Sequence, residues 1–331
     1  MPNPYISGTG FFLPPRVVTN DELSKYMDTT DEWIQERTGI RERCYVDAGV
    51  GPSDLAIPAT EQALKRAGLQ VGDIDFIIFA TSTPDFYAPG SGCLLQEKMG
   101  FNEIGALDIR VQCSGFLYGL SIAEQYIKTG EFNNILLIGA EVQSTAMNLT
   151  NEGRDTAIIF GDGAGAVVIS ATDEDRGILS THMHSQGRYI KELWLESPAS
   201  NAGHPRITPE KLKQGEQYLK MNGKEVFRHA VKRFPEVIHE CLEKNNLTTA
   251  DIDLLIPHQA NLRITQMVQK KLGLKNEQIY SNIHKYGNTT AATIPIALAE
   301  VVNKGKVSRG DIIIFATFGS GFTWASAAIK W

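Results

Sequence analysis

Uninterrupted runs of Ile, Leu, Val and Phe recur along the chain at Phe76–Ala80, Ile135–Gly139, Ala166–Ser170, Leu254–Pro257 and Ile312–Ala316. Half-exposed strands alternate apolar and polar residues, whereas strands covered on both faces read as continuous apolar runs. Amphipathic stretches such as Ala59–Ala67 and Leu117–Thr129 stand between these runs, so the pattern predicts an α/β protein with buried sheets. Ser185–Tyr218 breaks the pattern. It carries Pro198, Pro205 and Pro209 and reads as a connecting or lid segment.

The chain also resembles itself. Gln62–Ala80 (QALKRAGLQVGDIDFIIFA) lines up with Glu240–His258 (ECLEKNNLTTADIDLLIPH), pairing Leu64 with Leu242, Leu69 with Leu247 and Asp73 with Asp251. Ala123–Gly139 resembles Ala299–Ala316, and between the two pairs Cys113-Ser114-Gly115 takes the place of Asn288-Thr289-Thr290. Any two αβ units share some pattern, but the common order and similar spacing favour a duplication, with halves at 1–175 and 176–331. Matching strand ends would then meet around a pseudo-twofold axis, and Cys113 and Asn288 would face one pocket.

Composition narrows the function. The 331 residues are 42% apolar, enough for a large core, and 32 basic against 38 acidic side chains leave a net charge of −6. A general nucleic-acid binder would be basic, so no nucleic-acid partner is expected. Met1-Pro2-Asn3-Pro4-Tyr5 has no basic and apolar leader, and no apolar run reaches the roughly 18–20 residues of a membrane span. Cys44, Cys93, Cys113 and Cys241 are far apart with no Cys-x-x-Cys pair, the usage of a reduced protein. The expectation is a cytoplasmic protein with no membrane partner.

Cys113 lies between an apolar run and an amphipathic helix, where the helix dipole would lower its pKa; Cys44, Cys93 and Cys241 read as packing residues. His258, in Pro257-His258-Gln259-Ala260-Asn261, follows a buried strand, where α/β sites cluster, though a satisfied core histidine reads the same. Asn288, in Tyr286-Gly287-Asn288-Thr289, is a site residue or a helix cap. Phe318-Gly319-Ser320-Gly321-Phe322 offers main-chain amides to an oxyanion, or is a plain turn. Gly161-Asp162-Gly163-Ala164-Gly165-Ala166 fits a dinucleotide fingerprint, but the next residues read as strand and no acidic partner follows. His182-x-His184 lacks a third metal ligand, so no metal is expected.

Taken together, Cys113, His258 and Asn288 make the sequence resemble the β-ketoacyl-acyl-carrier-protein synthase III family, the initiating condensing enzymes of type II fatty-acid synthesis. The likeness spans nearly the whole chain. It includes Asp28-Thr29-Thr30-Asp31-Glu32-Trp33-Ile34, Arg37-Thr38-Gly39-Ile40-Arg41, Cys113-Ser114-Gly115-Phe116 and Gly321-Phe322-Thr323-Trp324. It implies the thiolase fold, a duplicated five-layer αβαβα arrangement, in a homodimer. The first half (1–175) would carry the nucleophile Cys113, and the second (176–331) His258 and Asn288.

The implied reaction is a decarboxylating Claisen condensation of an acyl-CoA with malonyl-acyl carrier protein, acyl-CoA being substrate and no cofactor being needed. The amides of Cys113 and Ser320 would form the oxyanion hole, with serine where the family usually has glycine. The resemblance puts Thr29, Trp33, Arg37, Arg154, Phe227, Ala260 and Asn261 along CoA, and Phe318 beside the malonyl carboxylate. Arg228, Arg263, Lys270 and Lys271 would dock the acidic carrier protein. Ala88 falls where an aromatic residue of the partner subunit caps the acyl tunnel in well-known members, with Tyr87 adjacent. Other readings are a sister condensing enzyme with a different donor or acceptor, a Cys-His-Asn hydrolase, and a non-catalytic carrier-binding relative.

Overall fold

A computed structural model describes residues 1–331. In chain order the strands of the first half are β1 (Asn3–Phe12), β2 (Arg16–Thr19), β3 (Glu42–Tyr45), β4 (Phe76–Ala80), β5 (Gly105–Ile109), β6 (Asn134–Glu141) and β7 (Gly163–Thr172). Then follow β8 (Gly177–Ser185), β9 (Leu193–Trp194), β10 (Lys220–Met221), β11 (Leu254–Pro257), β12 (Ile312–Gly319) and β13 (Thr323–Lys330). One sheet has the order β1-β7-β6-β4-β5 and a second the order β11-β12-β13-β8, while β2 with β3 and β9 with β10 form short ribbons. All five predicted runs are strands of the two large sheets. The fingerprint-like glycines run directly into β7, with no helix to receive a pyrophosphate.

The sheets repeat one pattern. β4 runs parallel to β6, β6 antiparallel to β7, and β7 antiparallel to β1. Likewise β11 runs parallel to β12, β12 antiparallel to β13, and β13 antiparallel to β8. β5, on the outer side of β4, is matched by a single parallel bridge from Leu255 to Ile279.

Helices Gly115–Thr129 and Thr293–Asn303 fill the space between the sheets. Their Phe116, Leu120, Ile294 and Leu298 share one core with Ile78 and Leu137 of the first sheet and Ile256 and Phe315 of the second. Helices Pro52–Ala67 and Ser91–Met99 cover the first sheet's other face through Leu55, Ala59 and Leu95. Helices Gly223–Lys244 and Leu262–Leu272 cover the second through Phe234, Ile238 and Val268. These are the five αβαβα layers of the thiolase fold, and they explain the unbroken apolar runs: each central strand has helices on both faces. No helix is long and apolar enough to cross a membrane.

Each central helix is entered through a 3₁₀ turn, Gln112–Ser114 or Thr290–Ala292, whose first residue has positive φ: 44° at Gln112 and 51° at Thr290. In this register Cys113 corresponds to Ala291. The sequence match of Cys113 with Asn288 is therefore three positions out, because neither glutamine nor threonine signals a left-handed residue. The turns lie across the axis on the opposite half's sheet. A Cβ at Gly319 of β12 would come within 2.6 Å of the Cys113 Cβ, and one at Gly139 of β6 within 2.5 Å of the Ala291 carbonyl oxygen. Glycine is needed at both contacts.

Candidate active site

A cavity of about 450 Å³ is lined by Cys113, His258, Asn288, Phe318 and Gly319 at one end and by Trp33, Arg37, Phe227 and Arg263 at the other. Cys113 is buried, and burial pushes its thiol up to about 12, aided by the negative charge of Glu141. The main-chain amides of Cys113 and Ser320 oppose that rise by hydrogen bonding to the sulfur. The thiolate expected from the helix dipole is thus not the resting state, since desolvation outweighs the dipole. The same two amides are placed to bind an oxyanion formed at the sulfur-bound carbon. Ser320 avoids positive φ, where Gln112, Asn246 and Thr290 are the non-glycine residues. Its hydroxyl donates to the Leu193 carbonyl.

β11 delivers His258 to the cavity, and burial lowers its imidazole pKa to about 3, so the ring is neutral. Nδ1 lies 2.6 Å from Thr293 Oγ1, while Nε2 has no partner. The main chain of Asn288 is pinned to the first half, its N–H donating to Ile159 O at 2.9 Å and its carbonyl accepting from Gly161 at 3.1 Å. Its side-chain Oδ1 accepts the Thr290 N–H at 2.8 Å, which leaves Nδ2 as the donor end of the amide. Phe318 is buried against Phe322, with ring centroids 4.8 Å apart.

At the outer end the Arg37 and Arg154 guanidinium carbons lie 4.4 and 4.6 Å from the Trp33 ring centroid. Arg154 also donates to Asp28 O at 2.9 Å, beside Thr29, whose buried hydroxyl has no partner. Asn261 does structural work: Oδ1 caps helix Leu262–Leu272, and Nδ2 donates to Arg37 O at 3.0 Å, tying that helix to helix Asp31–Thr38. Ala260 lines the cavity beside it. Arg263, Lys270 and Lys271 are exposed on helix Leu262–Leu272; Arg263 and Lys270 face away from its buried Ile264 and Val268, whereas Lys271 donates to Val231 O of the adjoining helix at 2.8 Å. Arg228 is exposed on the adjoining helix and paired with Glu225, and Arg263 lies over Phe227 at 5.8 Å. Ala88 is exposed and outside the cavity of its own chain, as are Phe86 and Tyr87.

Sequence reasoning missed several contributors. The unpatterned segment after Ser185 contains β9, which pairs with β10 and brings Leu193 and Met221 to the cavity wall. A two-residue strand leaves no periodicity to detect. Glu141, at the end of β6, is wholly buried and accepts from Thr83 Oγ1 at 2.6 Å and Ser82 Oγ at 2.9 Å; burial pushes it up to about 7. Away from the cavity, His184 binds Glu240 at 2.6 Å and His182 lies 3.0 Å from Ser180 Oγ.

A family model described as 3-oxoacyl-[acyl-carrier-protein (ACP)] synthase III matches residues 107–187, and the model of its C-terminal part matches residues 242–331. A beta-ketoacyl-[acyl-carrier-protein] synthase III of Caldanaerobacter subterraneus subsp. tengcongensis is 45% identical over 326 residues, covering 98% of this chain and 97% of that one. The protein of the same name from Clostridium perfringens is 44% identical over 332 residues, 100% of each chain. The crystal structure of 3-oxoacyl-[acyl-carrier-protein] synthase III from Aquifex aeolicus superposes with a TM-score of 0.90 at 40% identity, covering 99% of this chain and 100% of that one.

Proposed function

The chain belongs to the 3-oxoacyl-[acyl-carrier-protein] synthase III family, and from that membership we propose how its cavity works. It is a condensing enzyme that joins an acyl-CoA primer to malonyl-acyl carrier protein with loss of CO₂, giving the 3-oxoacyl-acyl carrier protein that initiates fatty-acid synthesis. In the first half-reaction Cys113 attacks the acyl-CoA thioester, and the oxyanion is held by the amides of Cys113 and Ser320. The thiol proton ends on the departing CoA sulfur, so acyl-Cys113 and free CoA leave no net charge behind. In the second, the malonyl group loses CO₂ to become an enolate, whose oxygen accepts hydrogen bonds from His258 Nε2–H and Asn288 Nδ2–H. The enolate carbon then attacks the acyl-Cys113 carbon, and the cysteine sulfur leaves as a thiolate that takes one proton from water to return to the neutral thiol. Decarboxylation supplies the carbanion without a base, and the Phe318 wall disfavours the charged carboxylate before reaction.

The observation that carries this reading is the convergence of Cys113, a neutral His258 with an unpartnered Nε2, and Asn288 on one cavity. Incubation with acetyl-CoA and malonyl carrier protein, read by mass spectrometry, tests it. A product two carbons longer with release of CO₂ is expected, whereas free acid alone would indicate hydrolysis. The sister-enzyme reading is weaker, since relatives at 44–45% identity over the full length carry the synthase name.

For CoA, adenine would stack on Trp33 and move one flanking guanidinium, of Arg37 or Arg154, onto a phosphate, with Thr29 beside the nucleotide. Phe227, Ala260 and Asn261 then flank the pantetheine arm leading to Cys113. All four cysteines are free, which suits a reducing compartment, and we take the cytoplasm as the place of action.

Arg228, Arg263, Lys270 and Lys271 form a basic rim on an acidic protein and suit an acidic carrier protein. Lys270→Glu, on the same helix as Arg263 but outside the cavity, should raise KM for malonyl carrier protein by about tenfold at low salt, with little change for acyl-CoA. Steady-state kinetics with each substrate varied checks this; equal effects on both, or none, would remove the docking role.

A homodimer completes the tunnel. β5 is an edge strand with no partner on its outer side, and Phe86 and Tyr87 are 58% and 64% exposed on the loop after β4. In the dimer Ala88 would cap the other copy's cavity with a methyl group in place of an aromatic ring. Each further buried methylene is worth about 0.8 kcal/mol, so primers longer than acetyl should be accepted. Acetyl-, butyryl-, octanoyl- and dodecanoyl-CoA should all prime the wild type, and Ala88→Phe should confine it to the shorter two. A wild type that stops at four carbons, or an unchanged profile in Ala88→Phe, would show that another residue sets the length.

A further inference from the structure

His258 and Thr293 are 2% and 3% exposed, and the contact between Nδ1 and Thr293 Oγ1 is 2.6 Å long. Burial keeps the ring neutral, so it holds a single proton, and its location decides what the cavity-facing nitrogen can do. The Thr293 hydroxyl has one hydrogen and two acceptors within reach: Nδ1, and Thr290 O at 3.0 Å. Thr290 O already receives the Thr293 main-chain N–H. A separation of 2.6 Å also suits an O–H donor better than an N–H donor, which normally stands about 2.9 Å from oxygen.

We infer that Thr293 is the positioning residue that sets the tautomer of His258, donating to Nδ1 and so keeping the ring proton on Nε2, toward the cavity. This rests on the condensing role given to His258 above. With its proton on Nε2 the histidine can donate to an enolate oxygen but cannot take a proton from Cys113, which separates a condensing site from a hydrolase that needs a histidine base. The turn that holds Asn288 Oδ1 through Thr290 N–H leads straight into the helix that begins at Thr293. One short segment therefore aims both enolate donors. Thr293 gave no sign of this in the sequence, where a threonine at the start of an apolar helix reads as an ordinary helix-start residue.

Nitrogen-15 NMR of histidine-labelled wild-type protein, with the His258 signals assigned by their loss in His258→Ala, tests the tautomer without reference to activity. The proton is expected on Nε2; a proton on Nδ1 would overturn the inference. In kinetics, Thr293→Val should lower condensation by about 10- to 100-fold while acyl-enzyme formation from acetyl-CoA stays within about threefold. Thr293→Ser, which keeps the hydroxyl, should recover most of the loss. Condensation by Thr293→Val at the rate of Thr293→Ser would also overturn it. If the wild type shows Nε2–H yet condenses nothing, the condensing role falls and the tautomer assignment stands. If Thr293→Val does not fold, the wild-type spectrum decides.

Discussion

Cys113→Ala protein, exposed to labelled acetyl-CoA, should gain no acyl adduct, and condensation should fall by at least about 10³-fold. Burial holds the Cys113 thiol near 12, and the other cysteines lack its setting of two inward amides at the foot of a central helix. Cys44 and Cys241 are buried with their thiols pushed up to about 11, and Cys93 is exposed on the outer helix Ser91–Met99. None of them lines the cavity. Malonyl decarboxylation should survive in part, since its donors, His258 and Asn288, remain. Labelling at the wild-type rate in Cys113→Ala would mean that another group is the nucleophile.

His258→Ala should give the complementary result. The acyl-enzyme should still form, because the oxyanion amides of Cys113 and Ser320 belong to the main chain and do not depend on the ring. Condensation should fall by about 10²–10³-fold, the usual cost of removing one donor from a developing oxyanion. Intact-mass analysis of the acyl adduct, alongside product formation from malonyl carrier protein, separates the two half-reactions. Loss of the adduct at the same rate as loss of product would make His258 a base for Cys113 and return the hydrolase reading.

Legibility in the sequence followed burial. β4 and β11 stood out to the residue because helices cover both their faces and no polar position interrupts them. Cys113, His258 and Asn288 stood out because each follows or enters such an element and sits beside distinctive neighbours. The three-residue error in matching Cys113 to Asn288 arose where side-chain pattern carries no information, in turns defined by a positive φ at Gln112 and Thr290. β9 and β10 escaped notice because two residues are too few for periodicity, so Leu193 and Met221 were absent from the expected pocket.

By itself the sequence determined the α/β class, the duplication, the family, and which residue types meet in the site. The class and the duplication rest on apolar runs and on their repeated order along the chain, and the family rests on the ordered motifs around Cys113, His258 and Asn288 that resemble it. Only the tertiary structure decided the state of those groups. Cys113 was expected to be acidified by its helix, but enclosure between two sheets outweighs the dipole and leaves a neutral thiol. The neutral charge of His258 comes from its burial, and the partner of its Nδ1 is Thr293, 35 positions away in the chain and 2.6 Å away in space. Desolvation and hydrogen-bond partnership are properties of what surrounds a group from every direction, and a linear sequence shows only the neighbours along the chain.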